Sequence, residues 1–331
     1  MVPPGSTRSG VPATTDLINS AESGSVRALA RLLSRIEAGG APAAEVAGAL
    51  TGRPRTARIV GLTGPPGVGK STVTTALIDR LRAAGRRVAV LAVDPSSPFS
   101  GGALLGDRVR MGQHAMDPGV FIRSMSSRGE LGGLSAAAPA AADLFSAIGF
   151  DDVLVETVGV GQNEIAVMRL ADTVLVVLAP GMGDGIQAAK AGILEIADVL
   201  VVNKSDHDGA SATVRDLKGM IALGRSGTAV ADQWRVPVVS TVGTTGVGID
   251  DLLAAVGEHR DHQLAGGGAA DRRQQRAEVA VQAVVLERVQ AALASADGQA
   301  LLAAAAEEVA AGDTDHHRAA VAVLAWLGGA R

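Results

Sequence analysis

The sequence has no cysteine and no tyrosine, and aromatic residues make up only 2% of its 331 residues. The absence of cysteine excludes disulfides, thiolate metal ligands and thiol nucleophiles. The scarcity of aromatic rings disfavours nucleic-acid binding by base stacking. Because 30 basic residues face 34 acidic ones, the composition shows no positive surface for DNA, RNA or an anionic membrane.

Long hydrophobic runs are also lacking. No stretch of about eighteen apolar residues occurs, and the N-terminus carries no apolar segment of signal-sequence length. Residues 1–20 are instead rich in Pro, Gly, Ser and Thr, a composition typical of a disordered leader. We therefore expect a soluble, cytoplasmic protein with a core of Ala, Val, Leu and Ile.

Lysine is scarce as well, since only four of the 30 basic residues are Lys. They are Lys70, Lys190, Lys204 and Lys218. A chain that prefers Arg so strongly is expected to keep Lys where a compact ammonium group is needed. Two of the four lie in the nucleotide motifs described next, and this draws attention to Lys190.

Residues 64–71, Gly-Pro-Pro-Gly-Val-Gly-Lys-Ser, match the phosphate-binding pattern G-x-x-x-x-G-K-[ST] at every fixed position. An apolar run precedes the pattern and a sequence with helical periodicity follows it, as the motif requires. In such a loop, backbone N–H groups surround the phosphates at the N-terminus of a helix. Lys70 is expected to reach the β- and γ-phosphates, and the Ser71 hydroxyl is expected to ligate Mg²⁺.

Seven short apolar runs alternate with helical stretches in the central part of the chain. They are residues 59–63, 88–93, 120–122, 152–156, 173–179, 198–203 and 236–241. Several runs are continuously Val- and Leu-rich, which is typical of strands buried on both faces. The sequence therefore predicts an α/β fold, a P-loop NTPase whose mostly parallel sheet is covered by helices. Ligands of such sheets bind beyond the carboxyl ends of the strands.

Helical segments are predicted on both sides of this domain. The predicted divisions are a leader over 1–20, a helical segment over 21–55, the P-loop domain over 56–258 and a helical region over 259–331. Three consecutive glycines, residues 266–268, form a hinge inside the last region. Because these C-terminal helices have no sheet of their own, we predict that they form a dimer contact; a lid on the same subunit is the alternative.

Residues 203–206, Asn-Lys-Ser-Asp, end a predicted strand and match N-K-x-D, the guanine-reading motif of GTPases. The Asp206 carboxylate can accept hydrogen bonds from the ring N–H and exocyclic amine of guanine, and the stem of Lys204 can cover the base. Four such residues could also form a surface turn, but their place after a buried strand favours GTP over ATP. The predicted guanine site comprises Asn203, Lys204, Asp206, Ser240, Thr241 and Val242.

Three acidic residues are candidates for the shell of the Mg²⁺ ion or for positioning water. Asp94 and Glu156 each close an apolar run, and Asp107 follows Asp94 in the adjoining loop. An Asp before a proline, as Asp94 is, can equally be a turn or cap residue. Their shared location favours roles around a cation held by Ser71.

Residues 156–159, Glu-Thr-Val-Gly, stand where many GTPases carry D-x-x-G, the loop whose glycine N–H senses the γ-phosphate. Gly159 is followed by Val160 and not by the Gln that orients water in Ras-like enzymes. Gln162 is the nearest substitute. We therefore expect slow intrinsic hydrolysis that a partner accelerates.

The segment 180–185 leaves a predicted strand with three glycines, so it can move at little backbone cost. Asp184 lies within it and Lys190 follows in the next predicted helical turn. Both are predicted to couple the nucleotide state to a partner, and the alternative for Lys190 is an exposed lysine without a role.

Histidines offer little support for a metal site. His259 with His262, and His316 with His317, lie in polar segments that are predicted to be exposed. No acidic or thiol ligands cluster beside them in the sequence, which favours a solvated surface.

Five stretches taken together resemble one family of GTPases. They are GPPGVGKST (64–72), VDPSSPFSGGALLGDRVRM (93–111), ETVGVGQNE (156–164), PGMGDGIQAAKAG (180–192) and NKSD (203–206). The chain resembles the MeaB-type GTPases, a family that includes human MMAA and proteins with the older name ArgK. The resemblance implies a GTP-hydrolysing chaperone that gates adenosylcobalamin loading and protects methylmalonyl-CoA mutase, and a homodimer formed through the C-terminal helices.

The resemblance also implies roles for individual residues. Phosphate contacts fall on Gly64, Pro65, Pro66, Gly67, Val68, Gly69, Lys70, Ser71 and Thr72. Metal-shell roles fall on Asp94, Asp107 and Glu156, and guanine recognition falls on Asn203, Lys204, Asp206 and residues 240–242. From the residues themselves we predict Ser71 as a further metal ligand, catalytic roles for Lys70, Asp94, Glu156 and Gln162, and partner coupling for Gly159, Asp184 and Lys190.

Two other functions on the same scaffold stay open at this point. One is a nickel-inserting metallochaperone, which the lack of cysteine and of a His-rich N-terminus disfavours. The other is a small-molecule or protein kinase, as the name ArgK suggests, although no acceptor site is recognisable in the sequence.

Overall fold

The structure, a computed structural model, describes residues 12–95, 112–114, 116–127, 137–157, 170–181, 196–224 and 234–329. The chain divides into two compact units, Met1–Ala277 and Glu278–Arg331.

Seven strands lie in the described part of the first unit. They are β1 (Arg58–Thr63), β2 (Val88–Pro95), β3 (Val120–Ser127), β4 (Asp152–Thr157), β5 (Thr173–Leu178), β6 (Val199–Val202) and β7 (Val238–Ser240). They form one sheet in the order β3-β2-β4-β1-β5-β6-β7, and every neighbouring pair is parallel. The predicted parallel sheet and the positions of its strands are thus confirmed.

Ten α-helices lie in the described residues. They are α1 (Thr14–Glu22), α2 (Val26–Ala38), α3 (Gly40–Ala49), α4 (Lys70–Ala83), α5 (Ala137–Ala147), α6 (Ala210–Gly224), α7 (Ile249–Ala265), α8 (Gly268–Ala294), α9 (Ala296–Ala311) and α10 (His316–Gly329). None of these helices is by itself long and apolar enough to cross a membrane; α8 and α9, which are bent by 78° at their junction, meet the criterion of length and composition only as a pair.

Both faces of the sheet are covered, which explains why its strands are continuously apolar. On β4, Val153 and Val155 face a cluster that includes helices α1, α2 and α5. Leu154, between them, faces the opposite cluster, which contains residues of α4 and α7. Alternate side chains therefore enter different cores, and neither face of the strand tolerates a polar residue without a partner.

The first helix begins earlier than the composition of the leader indicated. Helix α1 starts at Thr14, and its Leu17 and Ile18 are buried in the core that α2 and α5 share. The predicted leader over residues 1–20 is therefore wrong from Thr14 onward. The Pro and Gly residues that suggested disorder precede the helix, whereas the apolar pair that orders it lies within the last few residues of the predicted leader.

The predicted boundary between the P-loop domain and the C-terminal helical region, at 258/259, falls inside α7, whereas the structure divides the chain after Ala277. Ile249, Leu252 and Val256 of this helix are buried in the core of the first unit. His259 continues the same buried face at a spacing of three residues from Val256. The polar residues around it hid the periodicity, so its predicted exposure was wrong. His316 and His317 are exposed, as predicted.

The amino ends of the central strands carry an Asp–Arg cluster, formed by Asp152, Asp172, Asp198, Arg58, Arg86, Arg272 and Arg276. Asp172 accepts a hydrogen bond from the Ile59 backbone N–H at 2.9 Å, and Asp198 accepts one from Val174 at 2.8 Å. Arg272 donates to both carboxylate oxygens of Asp198, at 2.7 and 3.0 Å. Arg276 pairs with Asp172. The first turns of α8 are thereby fastened to the sheet.

Asp198 is the most enclosed member of this cluster that contacts α8. Burial by itself would raise its pKa, but hydrogen bonds from His259 and Arg272 and the charges of both hold the pKa below its usual value. Nδ1 of His259 lies 2.9 Å from the Thr173 hydroxyl, while its Nε2 lies 3.3 Å from Asp198. The indole N–H of Trp234 donates to the Asp198 carbonyl oxygen at 2.7 Å. The histidine is therefore part of a buried polar network.

The second unit contains the remainder of α8 together with α9 and α10. In α8, all of which is described, no residue is buried. Seven large aliphatic side chains of this unit are exposed: Val281, Val284, Val285, Leu286, Leu302, Val321 and Leu324. We refer to them as the C-terminal apolar set.

Candidate nucleotide site

The phosphate loop leaves β1, a central strand, and leads directly into α4. Gly64 begins the loop at φ +137°, and a Cβ atom there would overlap the Val177 carbonyl oxygen, so only glycine fits. Lys70 opens α4 and is buried. Its ammonium group donates to the carbonyl oxygens of Gly64 at 2.7 Å and Pro65 at 3.0 Å. The lysine side chain is therefore held against the phosphate loop.

A carboxylate on the neighbouring strand meets the start of α4. Glu156 of β4 is 3% exposed, and its Oε1 accepts a hydrogen bond from the Ser71 hydroxyl at 2.6 Å. Its Oε2 lies 3.0 Å from the hydroxyl of Thr74, one turn further along the helix. A hydroxyl and a carboxylate oxygen in this arrangement are the hard oxygen ligands that Mg²⁺ prefers. The residues present fit the predicted cation site.

Asn203, which follows β6, joins the phosphate loop to the loop after β7. Its side-chain amide donates to the Val68 carbonyl oxygen at 2.9 Å, with the Gly69 carbonyl oxygen at 3.5 Å. Its side-chain oxygen accepts from the Thr241 hydroxyl at 3.2 Å and from the Gly243 N–H at 3.0 Å. Gly69 has a φ of +91°, and a Cβ atom there would lie 2.5 Å from this amide, so glycine is strongly favoured there too. Asn203, the first residue of the motif predicted to read guanine, is thus hydrogen-bonded directly to the phosphate loop.

Lys204 and Asp206 complete the motif. Lys204 has a positive φ of 56°, uncommon for a residue other than glycine, and its ammonium group donates to the Gly67 carbonyl oxygen at 2.8 Å. Its side chain therefore runs from the loop after β6 to the phosphate loop. Asp206 is exposed. Ser205, between the two, donates its N–H to the Thr241 carbonyl oxygen at 3.0 Å, which fixes the turn.

A sequence model of the family described as methylmalonyl-CoA mutase-associated GTPase MeaB matches residues 29–298. The chain belongs to the MeaB family. The resemblance seen in the five sequence stretches is thereby confirmed, and with it the assignment of this MeaB-family protein as a GTPase that binds guanine nucleotides.

Individual relatives agree with this assignment. A Pyrococcus horikoshii protein is 44% identical over 282 residues, which cover 84% of this chain and 89% of that protein. The GTPase ArgK of Escherichia coli is 40% identical over 220 residues, 65% of each chain. The mouse mitochondrial methylmalonic aciduria type A homolog is 38% identical over 238 residues, 72% of this chain and 57% of that protein.

A solved structure shares the fold of this MeaB-family GTPase. The crystal structure of a LAO/AO transport system kinase has a TM-score of 0.68 and 25% sequence identity, covering 97% of this chain and all of that one. The P-loop architecture predicted from the sequence is thus confirmed by an experimental relative.

The structure places the remaining predicted site residues of this MeaB-family GTPase only in part. Asp94 lies in β2, two positions beyond Ala92, which is aligned with Glu156 of β4. Its backbone therefore lies at the same edge of the sheet as the phosphate loop, while its side chain falls outside the described part. Ser240 ends β7 and is exposed, whereas Thr241 and Val242 are buried. Asp107, Gly159, Gln162, Asp184 and Lys190 lie outside the described residues and stay predictions.

One residue of the site was missed by reasoning from the sequence. Thr74 is fully buried although it is polar, and it contacts Glu156. The sequence does contain a signal, because Thr74 lies three residues after Ser71 and so faces the same side of α4. Its hydroxyl also lies 3.1 Å from the Lys70 carbonyl oxygen.

Proposed function

We propose that this MeaB-family GTPase is a chaperone of methylmalonyl-CoA mutase, in which GTP binding and hydrolysis gate adenosylcobalamin loading and protect the mutase. The family match over residues 29–298 carries the proposal, because the description of that family names association with the mutase. The name of the mouse relative, a methylmalonic aciduria type A homolog, supports the same role.

The chemistry proposed for the site is hydrolysis of the terminal phosphate of GTP. A water oxygen joins the γ-phosphorus and the bond to the β–γ bridging oxygen breaks, which yields GDP and phosphate. Lys70 would offset the negative charge that develops on the phosphate oxygens. We propose that Ser71 and Glu156 hold Mg²⁺, which when bound would neutralise part of the same charge. Asp94, Asp107 and Gln162 are proposed around the cation and the attacking water on the strength of the motifs alone.

We expect hydrolysis by the isolated protein to be slow and to rise about 10³-fold or more with the mutase, because Val160 stands in place of the water-orienting Gln. Phosphate release would be measured with and without methylmalonyl-CoA mutase, and co-purification would be compared between a non-hydrolysable GTP analogue and GDP. Turnover at tens per second by the protein alone, with no effect of the mutase, would contradict the proposal.

A Lys190→Ala variant separates coupling from nucleotide binding in the same assay. GTP affinity should stay within about threefold of the original, while mutase-stimulated hydrolysis should fall at least about tenfold. Lys218→Ala provides the matched control, since Lys218 lies on α6, outside the nucleotide motifs. Unchanged stimulation in Lys190→Ala would mean that this lysine has no part in the coupling.

We further propose that the protein is a homodimer formed through the C-terminal apolar set. Exposed aliphatic side chains grouped on a few helices are typical of a surface that a protein partner covers. Sedimentation equilibrium should therefore give about twice the chain mass of 33.2 kDa. Val285→Glu with Leu324→Glu should weaken self-association at least about tenfold, whereas Val26→Glu, at an exposed valine of α2, should not. A monomer at all concentrations would refute the dimer.

A further inference from the structure

The hydroxyl of Thr74 is buried between the Glu156 carboxyl group and the backbone of its own helix. It lies 3.0 Å from Oε2 of Glu156 and 3.1 Å from the Lys70 carbonyl oxygen. The residue is fully buried. The hydroxyl therefore has two acceptors within reach but only one proton to donate.

The geometry indicates that Glu156 accepts this proton. An ionised carboxylate only accepts hydrogen bonds, and a hydroxyl has one proton to give. With Glu156 ionised, as it would be when it holds a cation, a proton pointing to the Lys70 carbonyl would leave the oxygens of Thr74 and Glu156 as two acceptors 3.0 Å apart in a buried site, which is repulsive. The Lys70 carbonyl, moreover, is already the helical acceptor four residues before the Thr74 N–H.

Both oxygens of Glu156 are consequently held by hydroxyl groups of α4. Ser71 donates to Oε1 and Thr74 to Oε2, and the two donors lie one turn apart on the same side of the helix. Two bonds to one planar carboxylate fix its rotation as well as its position. The Ser71 proton is thereby directed at Glu156, which leaves the lone pairs of the Ser71 oxygen free to face a cation.

We propose that Thr74 is a positioning residue for the magnesium site of this GTPase. Its hydroxyl orients the Glu156 carboxylate so that Ser71 and Glu156 together present their oxygens to the cation. The inference rests on the proposed role of Ser71 and Glu156 in holding Mg²⁺. In this proposal Thr74 acts through Glu156, whose Oε2 it contacts at 3.0 Å.

The test compares three variants of the full-length protein. Thr74→Val keeps the branched shape and removes the hydroxyl, Thr74→Ser keeps the hydroxyl, and Thr75→Val makes the same change at the next, partly buried position of α4. Dissociation of fluorescent GDP would be followed in EDTA and at increasing Mg²⁺ concentrations. This readout reports on the metal site without requiring hydrolysis.

Thr74→Val should need about tenfold more Mg²⁺ to slow GDP release by half, because one hydrogen bond to a charged group is lost. GDP release in EDTA should stay within about twofold of the original. Thr74→Ser should restore the original Mg²⁺ requirement, and Thr75→Val should not change it. If Thr74→Val does not fold, Thr74→Ala is expected to show the same increase.

Four outcomes would count against the inference. An unchanged Mg²⁺ requirement in folded Thr74→Val, or an equal change in Thr75→Val, would show that Thr74 has no specific role. Failure of Thr74→Ser to restore the requirement would point to shape and not to the hydroxyl. If GDP release from the original protein does not respond to Mg²⁺ at all, the proposed cation role of Ser71 and Glu156 itself fails.

Discussion

Replacing Asp206 by asparagine is expected to lower the affinity for GTP by about 100-fold or more. The carboxylate can accept hydrogen bonds from two donors of guanine, and bonds to a charged acceptor are worth about 1.5–3 kcal/mol each. Asparagine offers one acceptor and turns an N–H group toward the exocyclic amine, so the second bond becomes a repulsion. Xanthine carries an oxygen in place of that amine, and the affinity for XTP should therefore rise.

Calorimetric titration with GTP, ATP and XTP measures this change directly. Asp208→Asn is the matched control, because it alters another exposed carboxylate two residues further on; GTP affinity should stay within about twofold. Equal binding of ATP and GTP by the original protein would remove the basis of the prediction, as would GTP binding by Asp206→Asn at full strength.

Replacing Arg272 by leucine is expected to lower the free energy of unfolding by about 3 kcal/mol at pH 7. Asp198 would keep its buried charge but lose the guanidinium that bonds both of its oxygens, and breaking a buried pair in this way is costly. Urea denaturation followed by circular dichroism gives the value. Arg273→Leu, at the exposed neighbouring arginine, should change stability by less than about 0.5 kcal/mol.

The loss of unfolding free energy in Arg272→Leu should become smaller as the pH falls. The pKa of Asp198 is lower in the folded protein than its usual value, so the pairing stabilises the protein above the unfolded pKa of about 3.9. That contribution is lost as the pH falls through the folded pKa. The difference between Arg272→Leu and the original protein should therefore shrink in acid. Adding Asp198→Asn to Arg272→Leu should recover part of the stability at pH 7, and a pH-independent difference would contradict the account.

Much of the fold could be predicted because its determinants are local. Strands such as β4 and β5 are covered on both faces, and this requires uninterrupted apolar residues that are visible in the sequence. The phosphate loop could be predicted because its backbone geometry admits only glycine at Gly64 and strongly favours it at Gly69. The family could be recognised because longer motifs follow that loop in the sequence.

The residues that were missed depend on partners far away in the sequence. His259 is buried beside Thr173, Asp198 and Gln263, which contact its ring nitrogens. Gln263 lies on α7 itself, but Thr173 and Asp198 are not visible from that helix alone. Arg272 is similar, since its contact with Asp198 bridges 74 positions of the chain. A polar residue with a remote partner has the same local pattern as an exposed one, so only the tertiary structure distinguishes them.

The amide of Asn203 makes the two ends of the nucleotide site mechanically interdependent. It bonds the carbonyl of the phosphate loop on one side and the loop after β7 on the other. A purine that displaces the second loop would therefore also disturb the backbone that receives the phosphates. We therefore expect the penalty for a wrong base to appear in turnover as well as in affinity.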